Sequence, residues 1–209
     1  MLTFTNMKKE KPSIRNKRPY RMRARAEATE ETRLRILDAV IGLHMERYYD
    51  QISLDDVAER AGVTVQTVLR RFGSKNRLID AASEVVRERV VSQRSEAPVG
   101  DITGVVENLV DHYEEWGDSV LRLLAQEDRV PAFRKTTDAG RVLHYEWVER
   151  TFAPLLAERA GEARERLLAE LVAVCDVYFW KILSRDLGLS REQTVLALRE
   201  TIAALKGEG

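Results

Sequence analysis

The chain has 209 residues, 44% of them hydrophobic and 33% charged, with 34 Lys and Arg balancing 34 Asp and Glu. That is enough apolar material for a real core, in one large domain or two small ones. The single cysteine, Cys175, excludes an internal disulfide and a cysteine-rich zinc site and suits a reducing compartment. No apolar run approaches a membrane span, and the basic N-terminus lacks the apolar stretch of a signal peptide, so a cytoplasmic protein without membrane contact is expected.

The zero net charge hides an asymmetry. Residues 1–25 hold nine Lys and Arg against one Glu, net +8. Up to Arg89 the count is 19 basic and 13 acidic residues, net +6, which leaves −6 for the remainder. A basic N-terminal part and an acidic body fit a chain that meets a polyanion at one end.

Residues 1–28 show little apolar periodicity and carry Pro12, Pro19 and the cation run from Lys17 to Arg25. They read as a disordered basic arm, either tracking phosphates and a minor groove or adding only non-specific affinity. A helix is expected from Thr29, with Glu30 and Glu31 in its first turn and Leu34, Leu37, Val40, Ile41, Met45 and Tyr48 on its apolar side. His44 lies on or beside that side and reads as a packed residue rather than a ligand.

The most informative stretch is Ser53 to Lys75. Ser53 caps a short helix with Asp56 three residues on, and Leu54, Val57, Ala58 and Ala61 form one apolar face. Gly62 suits the helix end and Thr64 caps the next helix at once, which is the spacing of a helix-turn-helix. In that second helix Val65, Val68, Leu69 and Phe72 form an apolar stripe opposite Gln66, Thr67, Arg70 and Arg71. The polar face holds two forked cations, an amide and a hydroxyl, groups that read base edges and grip phosphates. Gly73-Ser74 ends this helix and caps another, placing Lys75 in a first turn that disfavours a cation unless a phosphate is near.

A longer helix then runs to about Gln93 and bridges to the rest of the chain, with residues 95–100 as a linker. Further helices are expected near 101–116, 118–127, 138–159, 162–185 and 190–206, and no segment alternates as a strand does. The fold class is all-α: an N-terminal three-helix DNA-binding domain over 29–76, then a larger helical regulatory and dimerisation domain over 77–209. Residues 167–183 are apolar on nearly all sides, which predicts burial on all sides. Val195, Leu198, Ile202 and Leu205 give a seam-like spacing, and the last two helices are expected to form a four-helix interface in a homodimer.

The stretch from Thr32 to Leu78, above all Ala58-Glu59-Arg60-Ala61-Gly62-Val63, Thr67, Phe72 and Ser74-Lys75, resembles the TetR family of one-component transcriptional regulators. The resemblance implies a homodimer that inserts its third helix into the major groove of double-stranded DNA. It also implies a C-terminal domain that binds a small-molecule effector and thereby separates the two reading heads. Carried over by position, Thr64, Val65, Gln66, Thr67, Leu69, Arg70 and Arg71 face DNA, Ser53 and Lys75 meet phosphates, and Thr32 and Arg33 lie near the backbone. The two readings part at Val65 and Leu69, apolar stripe in one and DNA-facing in the other. Leu69 stands where the family often has a tyrosine, Tyr48 where a glycine is frequent, and His44 where a phenylalanine is common.

An effector pocket is expected among Tyr113, Trp116, His144, Trp147, Cys175 and Phe179, with His112 a lesser member. Cys175, among apolar neighbours, reads as buried and inert. No catalytic constellation, metal-ligand spacing or cofactor fingerprint is present, so no enzymatic activity, metal or cofactor is expected. Two functions remain open: a repressor released from a palindromic operator by a small molecule, or a DNA-bound architectural or protein-recruiting factor without an effector.

Overall fold

A computed structural model describes residues 17–207, and all its regular elements are helical. α1 spans Lys17–Glu46, α2 Leu54–Ala61, α3 Val65–Phe72 and α4 Lys75–Ser95. α5 spans Ile102–Leu124, α6 Pro131–Thr151, α7 Ala153–Leu156, α8 Gly161–Val174, α9 Val177–Lys181 and α10 Arg191–Gly207. Among the described residues no helix is long and apolar enough to cross a membrane.

Several of the expected boundaries move. The first helix does not wait for Thr29 but is already formed at Lys17, so the expected arm over 1–28 is helical in its second half; residues 1–16 lie outside the described residues. Ala, Arg, Met and Glu from position 21 onward are strong helix formers, and Arg23 pairs with Glu27 one turn on. The apolar side of α1 is also shifted. Ile36, Leu37, Val40, Ile41 and Leu43 are buried, whereas Leu34 and Tyr48 are exposed. Helical spacing does not extend to Tyr48, because the helix ends at Glu46 and Tyr48 is extended at φ −70, ψ 154.

The segments expected at 101–116 and 118–127 are one helix, α5, running through Gly117. The helix expected at 138–159 starts earlier, with Pro131 in its first turn, and stops at Thr151. Pro154 has no N–H to continue it and opens the short α7 instead. The segment expected at 162–185 breaks after Val174. There Asp176 adopts an extended conformation and its side chain accepts the Tyr178 N–H at 2.9 Å, starting α9, which runs into a π-helical turn at Ile182–Asp186.

Two apolar cores organise the helices. The N-terminal one gathers α1, α2, Val68 of α3 and Leu78, Ile79 and Ala82 of α4, and it also takes in Trp116 of α5 and Phe133 of α6. The second is built from α5, α6, α7, α8, α9 and α10. Val195, Leu198 and Ile202, read as an intermolecular seam, are buried in this second core against the chain's own α5 and α8. Periodicity reports a buried face without saying which surface buries it, so the seam is intramolecular. The apolar run 167–183 is likewise not covered throughout. Tyr178 and Ile182 are 53% and 50% exposed, beside Leu187 at 66% and Leu196 at 51%.

Candidate nucleic-acid interface and a buried polar cluster

The reading head is set by local caps. Ser53 Oγ accepts the Asp56 N–H at 3.1 Å, and the Asp56 carboxylate accepts the Ser53 N–H at 2.7 Å, closing a reciprocal capping box. The Ser53 hydroxyl also donates to Asp56, and these bonds hold the Asp56 carboxyl below the usual range. Gly62 closes α2 at φ 64, ψ 41, a left-handed conformation that glycine adopts without a Cβ clash. Thr64 Oγ1 accepts the Thr67 N–H at 3.2 Å and starts α3.

α3 then divides its surfaces as its sequence requires. Val68 is buried, Val65 and Phe72 pack half-buried on the N-terminal core, and Leu69 is half-buried. Val65 therefore keeps its place in the apolar stripe. Gln66 and Arg70 are exposed, with no hydrogen bond or ion pair to any described residue. Arg71 is half-buried with its Nε unpartnered. Arg70, Arg71 and Phe72 share a groove with Arg33, which the Glu30 carboxylate holds from the side at 3.0 Å. Two guanidinium groups without acidic partners, at the mouth of one groove, form a local excess of positive charge suited to a phosphate or a guanine edge.

Lys75 is occupied differently from the expectation. Its ammonium donates to the Tyr49 carbonyl at 2.9 Å and to the Ile52 carbonyl, and it sits 3.8 Å from the Tyr49 ring centroid. The cation that the first turn of α4 does not favour is thus neutralised by carbonyls of the loop before α2, and burial lowers its pKa. Ser53 and Lys75, both expected at phosphates, give their side-chain donors to partners within the chain, Ser53 in an exposed bond to the Asp56 carboxylate and Lys75 to the two carbonyls. Replacing Lys75 by Met is expected to cost about 1–3 kcal/mol of stability, because two carbonyls lose a charged donor. The salt dependence of binding to random DNA should stay as in the wild type; a slope smaller by about 0.9 would reinstate a phosphate contact.

α4 follows α3 after only Gly73 and Ser74 and carries the interface into the body. Its 21 residues span about 30 Å. At its far end lies Arg94, 6% exposed, its guanidinium 4.1 Å from the Trp147 ring centroid and 5.9 Å from that of Tyr113. One of its terminal nitrogens lies 3.2 Å from His144 Nδ1, while His144 Nε2 lies 3.1 Å from the Val172 carbonyl. The carbonyl can only accept, so His144 carries its proton on Nε2 and receives Arg94 at Nδ1. Tyr113 donates its hydroxyl to the Cys175 carbonyl at 2.9 Å. Trp147 Nε1 and Arg150 both donate to the Arg94 carbonyl, at 3.0 and 2.8 Å, fixing the end of α4.

Four of the six expected pocket residues, Tyr113, His144, Trp147 and Cys175, therefore converge on Arg94. Phe179 is half-buried on the same core. Trp116 is not with them: it belongs to the N-terminal core and lines a cavity of about 80 Å³ between α1, α4, α5 and α6, with His44, Arg122 and Phe133. His112, the lesser candidate, is buried beside Tyr113 with its Nδ1 unpartnered. Burial pushes the Cys175 thiol up to about 12, so it stays protonated and unreactive near neutral pH. Arg94 itself was missed. Its signal was its position, four residues after Val90 on the stripe Ile79, Ala82, Val86 and Val90, where a charge has no place in an ordinary amphipathic helix. Among the described residues no group of three His, Cys, Asp or Glu is placed to hold a metal.

Residues 36–82 match the profile of bacterial regulatory proteins of the tetR family. The HTH-type transcriptional repressor KstR of Rhodococcus jostii (strain RHA1) is 39% identical over 71 residues, a stretch spanning 34% of this chain and 34% of that protein. A putative transcriptional regulator from Pseudomonas aeruginosa PAO1 superposes with a TM-score of 0.65 at 16% identity, covering 86% of this chain and 92% of that one. A transcriptional regulator from Rhodococcus sp. Rha1 gives 0.61 at 18% identity, covering 83% and 95%. At such identities the structural likenesses establish the fold, a helix-turn-helix domain followed by a helical body. With its caps and its α2–α3 geometry agreeing with the profile, the N-terminal part of the chain over residues 36–82 is similar to the tetR family of bacterial regulatory proteins.

Proposed function

We propose that this protein is a sequence-specific, DNA-binding transcriptional regulator, acting as a dimeric repressor that a small-molecule effector releases from a palindromic operator. The observation that carries the reading is the free face of α3. Gln66 and Arg70 are exposed and Arg71 is half-buried, with no hydrogen bond or ion pair to a described residue, next to Arg33. Thr64 and Thr67 flank them at the helix start, and the exposed edge of Leu69 is available to a thymine methyl. The Ser53 side chain caps α2 at the surface of this head, and Lys75 braces the loop before α2.

A dimer is supported by the uncovered apolar side chains Tyr178, Ile182, Leu187 and Leu196, on α10 and the segment before it. One eight-residue helix reads too few base pairs to be specific alone, so two heads on one palindrome are required. The decisive experiment is selection of bound duplexes from a random pool at near-physiological salt. A palindrome with half-sites about one helical turn apart, or somewhat more, is expected; binding with no enriched sequence overturns the reading. On the selected operator, Arg70→Ala or Arg71→Ala should cost about 1–3 kcal/mol and relax base preference. Equal losses on operator and random DNA would show that both residues only grip phosphate.

The close packing around Tyr113, Trp147 and Cys175 favours a second reading, a DNA-bound factor that recruits a protein and takes no effector. A ligand that releases the operator decides against it.

A further inference from the structure

Arg94 is a buried cation without an acid. Guanidinium stays protonated in proteins, and an uncompensated buried charge is among the most expensive features a core can hold. Its surroundings lessen the cost without removing it. Trp147 and Tyr113 offer ring faces, His144 offers one acceptor, and Nε has no partner. No described carboxylate pairs with it. Asp176, whose field reaches Tyr113, His144 and Cys175, is engaged in capping α9 at the Tyr178 N–H. Beside this cation lies a second unused polar atom, His112 Nδ1, within the electrostatic reach of both Arg94 and His144. The cluster thus holds one full positive charge and unpaired nitrogens on two residues, walled by aromatic and aliphatic side chains, and lacks an anion.

We infer that Arg94 anchors the effector, and that the effector is an apolar organic acid whose carboxylate pairs with the Arg94 guanidinium between α4, α5, α6 and the α8–α9 break. This rests on the effector-released repressor proposed above and names the chemical class of its ligand. The carboxylate replaces His144 Nδ1 as acceptor for Arg94 and gives the guanidinium two oxygens in its fork geometry. His144 then loses its tie to α4 at Nδ1 and keeps only the Nε2 bond from α6 to the Val172 carbonyl of α8. Trp147 and Tyr113 pack closely against the cation, each 4% exposed, so the apolar body is admitted as their rings move off Arg94 and become its walls. Because Arg94 is on α4, occupation acts directly on the helix whose other end starts beside α3.

The test uses the full chain and matched pairs of ligands: phenylacetate, 2-naphthoate and decanoate, each beside its primary amide. Thermal unfolding is followed against ligand concentration, and operator release is measured separately. At least one acid should raise the melting temperature where its amide does not. Arg94→Met should melt at or above the wild-type temperature, since an apolar side chain replaces an unpaired charge. It should bind that acid at least about tenfold more weakly. Arg94→Gln, polar but uncharged, must lose the same preference and serves where the Met variant does not fold. No preference for any acid over its amide in the wild type, or an unchanged preference in both variants, overturns the anchor. An acid that binds through Arg94 but leaves the operator bound keeps the anchor and removes the effector reading. Release by acids and amides alike keeps the repressor and removes the anchor.

Discussion

Gly117→Ala is expected to destabilise the protein by about 2–3 kcal/mol, although alanine is the better helix former by roughly 1 kcal/mol. Gly117 is buried in the middle of α5, and a Cβ there would lie 2.4 Å from Trp180 Cζ3 and 2.7 Å from Cη2. Trp180 has little room to retreat. It is 1% exposed, its ring lies 5.6 Å from that of Tyr113, and the Arg185 guanidinium sits 4.5 Å from its centroid. Arg185 is in turn held by Asp118 at 3.1 Å, next to Gly117 on α5. The indole therefore locks α9 onto α5 through the space that the missing side chain leaves. Gly117→Val should cost more than Ala. In a Trp180→Leu background the Ala substitution should lose most of its penalty, a non-additivity that a double-mutant cycle reads directly. If Gly117→Ala raises the melting temperature in the wild type, helix propensity prevails and the packing account fails.

The same glycine shows where the sequence stops being readable. The caps of the reading head are local: Ser53 with Asp56, Gly62, Thr64, Gly73 and Ser74 act on their own turns, and each was placed from sequence spacing. Gly117 reads as a helix break by the same local logic, yet α5 runs through it because its partner, Trp180, is 63 residues away. The break at Cys175–Asp176 was hidden for the opposite reason. One capping aspartate stands inside an apolar run, and the run dominates any periodicity count. Lys75 was legible as an anomaly, a cation at a helix start, but the partners the chain itself gives it, a pair of carbonyls more than 20 residues earlier, were not. The aromatic set around Tyr113 and Trp147 was legible as a list of large side chains. What organises it, Arg94, comes from another helix and becomes visible only when the helices are packed.

The cavity between the two cores makes the second large prediction. His44 lies there between Tyr49, stacked at 6.1 Å, and Phe133, edge-on at 5.7 Å, with its Nε2 unpartnered. Arg122 donates to the Met45 carbonyl and Gln126 accepts the Tyr49 N–H at 3.2 Å, so the end of α1 is tied to α5 around this ring. Burial, then the nearby Lys75 and Arg122, lower the His44 pKa from 6.5 to about 4. The folded state thus holds this imidazole neutral while the unfolded chain protonates it. For such a group the stability is fully present above the unfolded pKa and falls as pH drops from there toward the folded value. Between pH 7.5 and 5 His44 alone should remove about 2 kcal/mol, at about 1.4 kcal/mol per unit of separated titration. His112 and His144, also lowered chiefly by burial, act with the same sign. The carboxylates held low by their partners, such as Asp56 and Glu127, contribute only at more acidic pH, because their unfolded values lie below this window. His44→Phe keeps an aromatic ring between Tyr49 and Phe133 and takes no proton. Denaturant unfolding at pH 7.5 and at pH 5 should show a smaller loss in the variant, by about 2 kcal/mol, with the residual slope left to His112 and His144. An identical loss in both proteins would mean that His44 is protonated in the fold already, and that the junction between the two cores accepts a third cation beside Lys75 and Arg122.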